Sequence, residues 1–321
     1  GAVMAAPVTA WKHVWPRDAS FAVAAFAATG HHADAARILS FLARVAPEDG
    51  RWKARYLVDG SGFAPDDRGV QLDGGGWVTW AAWTYVQTAP DEEQAAEILR
   101  MMRAAVIDSA DALAALVNDD GMPPPSPDYW ERSESDVTLG LIAPMWLGLR
   151  SAIELAPDLG VDPHTWQAAE RRLERAITRE FADNGYPRTV PDGRLDAAVA
   201  FLAPPFAPVE PGVRQAVITA EEALRVPSGG HRPGESWTKD VEVAWTPETA
   251  MLALALAGNG AGESARQVLT FLDEHRTALG ALPEKVDAIA APASVAPLAW
   301  TAALVVLALV ELDEGLPVVS R

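Results

Sequence analysis

The chain has 321 residues, 49% of them hydrophobic, with 26 basic and 44 acidic side chains and a formal charge of -18. A chain of this length can bury a sizeable core, and its surplus of acids argues against nucleic acid or an anionic membrane as partner, while a neutral ligand such as a sugar incurs no such penalty. The absence of cysteine excludes disulfides, thiolate metal sites and cysteine nucleophiles, and Gly1 to Ala10 shows no basic, apolar leader, so a cytoplasmic location is expected.

In chain order, helical patterns run over 18–29, 32–46, 76–88, 91–117, 135–155, 163–183, 193–203, 211–225, 247–257, 261–276 and 293–312. Turn signals such as Gly30, Gly160 and Gly258-Asn259-Gly260 separate them, and the period-two alternation of strands is nearly absent. The helices alternate between two kinds. Phe21 to Ala28, Trp77 to Val86, Leu139 to Leu149, Met251 to Ala257 and Val295 to Leu309 are apolar almost all round, so protein must enclose them. Others carry one stripe, such as Leu99, Met102, Val106, Leu113 and Leu116, or Trp166, Ala169, Leu173, Ile177 and Phe181. The uncharged run Ala293 to Val310 reaches the lower length limit of a membrane span. Pro297, Trp300 and Thr301 within it, and the lack of close basic flanks, make it a buried core helix. Alternation of enclosed and striped helices predicts two concentric rings: an all-α toroid of six helical hairpins, one catalytic domain over 1–321. Six hairpins need twelve helices and eleven are visible. The first is of the enclosed kind, so its outer partner is expected upstream of Gly1. Segments 47–75, 184–210 and 277–292 read as long loops, which in compact domains usually serve function.

The unusual polar clusters fall just before enclosed helices: Trp15-Pro16-Arg17-Asp18, Gln71-Leu72-Asp73-Gly74, Asp128-Tyr129-Trp130-Glu131, His231-Arg232 with Trp245, and Pro283-Glu284. Parallel inner helices would bring these to one mouth of the ring, where helix N-termini stabilise carboxylates. Each cluster taken alone has a plain reading: Asp18 as a helix cap, Asp73-Gly74 as a turn, Glu131 as a solvated first-turn acid, Trp130 and Trp245 as core. Their common placement favours a site with two acids facing one hollow, the pair that acetal hydrolysis requires. Other chemistries fit less well. Gly74-Gly75-Gly76 lacks the Lys-Ser/Thr of a phosphate loop, no Gly-x-Ser-x-Gly elbow occurs, and the six histidines show no zinc spacing. No cofactor or metal is expected.

These segments resemble glycoside hydrolase family 15, the glucoamylase-like enzymes, from Trp15 to Trp300. The resemblance implies that Trp15, Arg17 and Asp18 hold the terminal sugar, and that the Gln71-x-Asp73-Gly74 segment, Trp130, Trp245 and Trp300 belong to the binding site. It places the general acid on Glu131 and the general base on Glu284, in a Glu284-x-x-Asp287 segment followed by Pro297-Leu298-Ala299-Trp300. Arg232 would contact sugar near the cleaved bond. Three positions depart from the usual pattern: Arg132 where a second acid is common, Lys285 where Gln is common, and Pro233 where an aromatic is usual. All three flank the cleavage point.

The expectation is therefore an inverting, exo-acting α-glucosidase releasing β-glucose from short α-1,4- or α-1,6-linked oligosaccharides. Inversion calls for carboxyls roughly 6.5–9.5 Å apart. The alternatives are an α,α-trehalase of the same fold and a toroid that binds sugar without turnover. A helical repeat scaffold would need a uniform consensus, and none is present.

Overall fold

The computed structural model describes residues 1–320. Ten α-helices follow one another: α1 (Pro16–Ala28), α2 (His32–Val45), α3 (Asp73–Thr88), α4 (Glu92–Leu116), α5 (Leu139–Leu159), α6 (His164–Ala176), α7 (Pro211–Ala223), α8 (Thr246–Gly258), α9 (Gly262–Glu274) and α10 (Ala299–Asp313). A 3-10 helix over Ala197–Leu202 sits between α6 and α7.

Packing closes a ring. α1 packs on α3, α3 on α5, α5 and α8 each on the 3-10 helix, α8 on α10, and α10 back on α1. Outside it lie α2 against α1, α4 against α3 and α5, α6 against α5, α7 against the 3-10 helix and α8, and α9 against α8. This is the α/α toroid, with six inner and five outer segments among the described residues. The outward side of α10 is less enclosed than its sequence suggests: Val305 and Val306 are half-buried and Leu309 is exposed.

Local chemistry explains the boundaries. α1 and α8 start with proline in the first turn, where the missing N–H costs nothing. The side chains of Asp91 and Thr138 cap α4 and α5 by accepting from Gln94 and Leu141, and α5 ends at left-handed Gly160. The expected helix over 193–203 is a short 3-10 turn instead. Asp196 caps it through the N–H of Ala198, and Pro204-Pro205, which have no N–H to give, stop it. The expected helix over 163–183 loosens into a π turn at Ile177–Phe181.

The three glycines of 74–76 lie inside α3, which begins at Asp73 rather than at 76. A Cβ on Gly76 would stand 2.0 Å from the carbonyl oxygen of Pro144, and one on Gly148 would stand 2.4 Å from the Cα of Gly76. Glycine is a poor helix former, but here it lets α3 and α5 touch backbone to backbone.

The ring axis is plugged with aromatic side chains. Phe21 lies 5.0 Å from Trp77 and 5.9 Å from Trp300, and Trp77 lies 4.8 Å from Phe201 and 5.6 Å from Phe206. The toroid is therefore a blind cup rather than a channel. Above the plug, the starts of α1, α8 and α10 and the segment 129–131 before α5 converge on one cavity. A three-stranded antiparallel sheet of two-residue strands, Ala244–Trp245, Lys285–Val286 and Pro292–Ala293, stands beside it.

Candidate active site

The cavity measures about 200 Å³. That is below the roughly 300–1,000 Å³ typical of sites for drug-sized ligands and suits a single sugar ring. Both acids expected from the sequence, Glu131 and Glu284, line it, as do Trp15, Arg17, Asp18, Trp130, Trp245 and Trp300.

Asp128 builds the first wall. Its carboxylate accepts from the N–H of Trp130 at 2.9 Å and the hydroxyl of Thr138 at 2.7 Å, and its carbonyl accepts from the N–H of Glu131 at 2.8 Å. The chain thus turns back on itself and leaves Glu131 at φ +53°. A non-glycine residue in that region is uncommon, and such backbone strain concentrates at functional sites. A Cβ on Gly140 would press on the Asp128 carboxylate at 2.8 Å, so glycine is needed beneath this turn. Arg188 anchors the hub from below. Its guanidinium pairs with Asp128 at 2.8 Å, Glu134 at 2.7 Å and Asp196 at 3.2 Å, and covers the Trp130 ring at 3.7 Å. Burial opposes charge on Arg188, but Asp196 and Asp128 outweigh it and raise its pKa. The Asp196 carboxyl is itself pushed up to about 6 by burial, partly offset by Arg188.

Around the Glu131 carboxylate the donors are Trp15 Nε1 and Arg68 Nη1, with Arg17 at 3.9 Å. Arg68 belongs to the loop before α3 and also contacts Asp66 at 3.3 Å. Asp66 pairs in turn with Arg55, which lies 4.9 Å over the Trp15 ring. Hydrogen bonding to Arg55 holds the Asp66 carboxyl below its usual range.

The second wall is different. Trp11 Nε1 donates to Glu284 at 3.0 Å, and the Ser294 hydroxyl donates to its other oxygen. Ser294 takes φ +66° to reach it. The small sheet fixes the Glu284 backbone: its N–H donates to Val295 and its carbonyl accepts from Thr246, each within 3.0 Å. Lys285 points instead over the Trp245 ring, 3.9 Å away.

Between the walls, Trp130, Trp237 and Trp245 form a T-shaped series with centroids 4.9 and 5.0 Å apart. Arg17 pairs with Asp18 at 3.0 Å and stacks over Trp300 at 4.2 Å. Burial raises the Asp18 pKa against the pull of Arg17. Among the described residues, several buried polar atoms of cavity-lining side chains find no hydrogen-bond partner: Arg17 Nε and Nη1, Asp18 Oδ2, the indole nitrogens of Trp130, Trp237, Trp245 and Trp300, and Glu248 Oε2. Buried polar groups without partners are rare and costly. A ligand bearing many hydroxyls would satisfy them.

Three expected contact residues do not reach the cavity. Gln71 is buried and donates to the Asp128 carbonyl at 2.6 Å, and Asp73 accepts from Trp77 at 3.2 Å, so both stand behind the wall. Burial pushes the Asp73 carboxyl up to about 6. Arg232 is half-buried and outside the lining, while its neighbour Pro233 is part of it. Conversely, Trp11, Arg55, Arg68, Trp237, Glu248 and Ser294 were not singled out by the sequence, and all but Ser294 line the cavity directly.

A two-acid cup in the mouth of an α/α toroid defines a glycoside hydrolase class. The model of glycosyl hydrolases family 15 matches residues 1–236, and the chain belongs to that family. Among solved structures, a glycosidase variant in complex with glucose superposes with a TM-score of 0.82 at 21% identity, covering 97% of this chain and 91% of that one. The family 15 glucoamylase from Hypocrea jecorina gives 0.77 at 14% identity, covering 98% of this chain and 67% of that one. A bacterial glucoamylase complexed with acarbose gives 0.73 at 17% identity, covering 95% and 49%. At these identities the likeness speaks for the fold. No curated protein sequence matches the chain.

Proposed function

We propose that this glycoside hydrolase removes single glucose units from the non-reducing ends of short α-glucosides, with inversion at the anomeric carbon. The observation that carries the reading is an open-mouthed cup of about 200 Å³ with Glu131 and Glu284 both on its lining. A cup of one ring's size admits a chain end and leaves the rest of the substrate outside, which is exo action. Likeness to a glycosidase complexed with glucose supports the sugar class.

In this mechanism Glu131 is the general acid and Glu284 the general base. A water on the far side of the ring gives a proton to Glu284, and its oxygen bonds to the anomeric carbon. The bond from that carbon to the glycosidic oxygen breaks, and the oxygen takes the proton of Glu131. Trp11 and Ser294 orient Glu284 as a carboxylate acceptor. Arg17 and Asp18 hold ring hydroxyls, and the tryptophans pack against apolar ring C–H faces. Glu131 has to carry a proton, yet Arg68 donates to it, and a cation there favours the charged form. Arg68 therefore has to leave Glu131 as the sugar enters, and the leaving-group oxygen takes its place.

The test pairs one variant with two substrates. Glu131→Gln should lower hydrolysis of maltose-type glucosides by roughly 10²–10⁴-fold. It should spare α-glucosyl fluoride, whose leaving group needs little protonation. Equal loss on both substrates would remove Glu131 as the acid. The wild-type rates on maltose, isomaltose and α,α-trehalose decide among α-1,4, α-1,6 and trehalase activity.

A further inference from the structure

Besides the expected acid and base, the cavity holds a third glutamate. Glu248 stands in the first turn of α8, directly after Pro247, and is 4% exposed. It lines the same cavity as Glu131 and Glu284, and its Oε2 finds no hydrogen-bond partner among the described residues. The charged groups that bear on it are Glu284 before the second strand, Arg17 on α1 and Asp196 before the 3-10 helix. Arg17 is engaged with Asp18 at 3.0 Å through Nη2. Among the described residues no cation forms an ion pair with Glu248, although a buried carboxylate would require one. Burial and Glu284 instead push its pKa up to about 8. That shift favours the protonated carboxyl group, which can both donate and accept.

We propose that Glu248 is a specificity-determining residue that reads one hydroxyl of the terminal sugar ring. The proposal rests on the sugar cup described above and adds a role that neither step of bond cleavage uses. Glu284 already accepts two hydrogen bonds and Asp18 is ion-paired to Arg17, whereas Glu248 forms no ion pair among the described residues and faces the cup with a free oxygen. A site built around such a group rejects a ligand that lacks the matching hydroxyl, because the buried oxygen is then left unpaired.

The test is binding, so that it does not depend on turnover. Glucose and its 2-, 3-, 4- and 6-deoxy analogues are titrated calorimetrically into the full chain, as wild type, Glu248→Gln and Glu248→Ala. Wild type should bind one of the four analogues about 10-fold or more weaker than glucose through this contact. Glu248→Ala should flatten discrimination at that one position and keep it at the others. Glu248→Gln, whose amide keeps a donor and an acceptor, should retain the wild-type pattern within a few-fold. Should the alanine variant fail to fold, the pH series decides. Glucose affinity should fall in wild type above about pH 8 relative to Glu248→Gln, a comparison that cancels the pH dependence of every other group in the cup. An alanine variant that keeps the whole pattern of discrimination, or a wild type and glutamine variant with the same pH dependence, would overturn the proposal. So would a wild type with no affinity for glucose. Glucose binding without release of glucose from any α-glucoside would instead sink the hydrolytic mechanism and leave this inference standing.

Discussion

The two walls of the cup hold the same functional group in opposite surroundings. Glu131 faces two arginines and an indole N–H. Glu284 faces two neutral donors, Trp11 and Ser294, and has the acid Glu248 as electrostatic neighbour. Read without substrate, the charges would assign the roles backwards, since cations favour the ionised carboxylate and the donor must be protonated. On the proposed mechanism the Glu131 wall has to change when sugar arrives, whereas the Glu284 wall, held by a small sheet and a left-handed serine, does not. Arg68 is exposed on its loop; Trp11 and Ser294 hold a group whose proposed role needs no change of partners.

That contrast can be broken in several ways. The largest effect belongs to the fixed wall. Glu284→Gln should cut kcat by roughly 10²–10⁴-fold while glucose still binds, because the amide cannot take a proton from water. Near-normal turnover would dissolve the comparison.

The next effect is on stability. Glu248 has a folded-state pKa of about 8 against an ordinary 4.5. Its folded state therefore binds more protons than the unfolded chain between those values. Its full contribution is present below about pH 4.5 and is lost as pH rises toward 8. Glu248→Gln removes this dependence. The variant should gain stability over wild type progressively from about pH 5 to 8, by a few kcal/mol, since one pKa unit is worth about 1.4 kcal/mol. Denaturant melts at several pH values measure it, and a constant difference would show that Glu248 ionises freely in the fold.

A smaller, sharper effect belongs to the Glu131 wall. Arg68→Gln removes a cation that favours ionised Glu131, so the acid should keep its proton to higher pH. The alkaline limb of kcat/KM, which reports the free enzyme, should move up by about one unit, and the limb of kcat by less. Equal movement of both limbs would mean that Arg68 stays on Glu131 in the complex.

Much of the ring was legible in the sequence because periodicity reports which side of a helix is enclosed. Trp77 to Val86 and Leu139 to Leu149 lack a polar face, and they are inner helices. The 3-10 segment at 197–202 was not legible as such, because its six apolar residues read alike in any helix and the proline stop lies just beyond. Glu131 and Glu284 were legible through the segments around them. Depth was not. Gln71 and Asp73 sit in a recognisable segment, yet they brace Asp128 and Trp77 from behind rather than reaching the cup. Trp11 and Arg68 escaped notice for the converse reason. Their partners lie 273 and 63 positions away, on loops whose path no local pattern fixes. Glu248 follows Pro247 as an ordinary first-turn acid would, and only its burial sets it apart.

The central claim is that Glu131 and Glu284 work on opposite faces of one sugar ring. Proton NMR of the first glucose released from an α-glucoside tests it most directly. β-Glucose appearing first, with α-glucose growing in only by mutarotation, is the expected result; α-glucose appearing first would contradict the account.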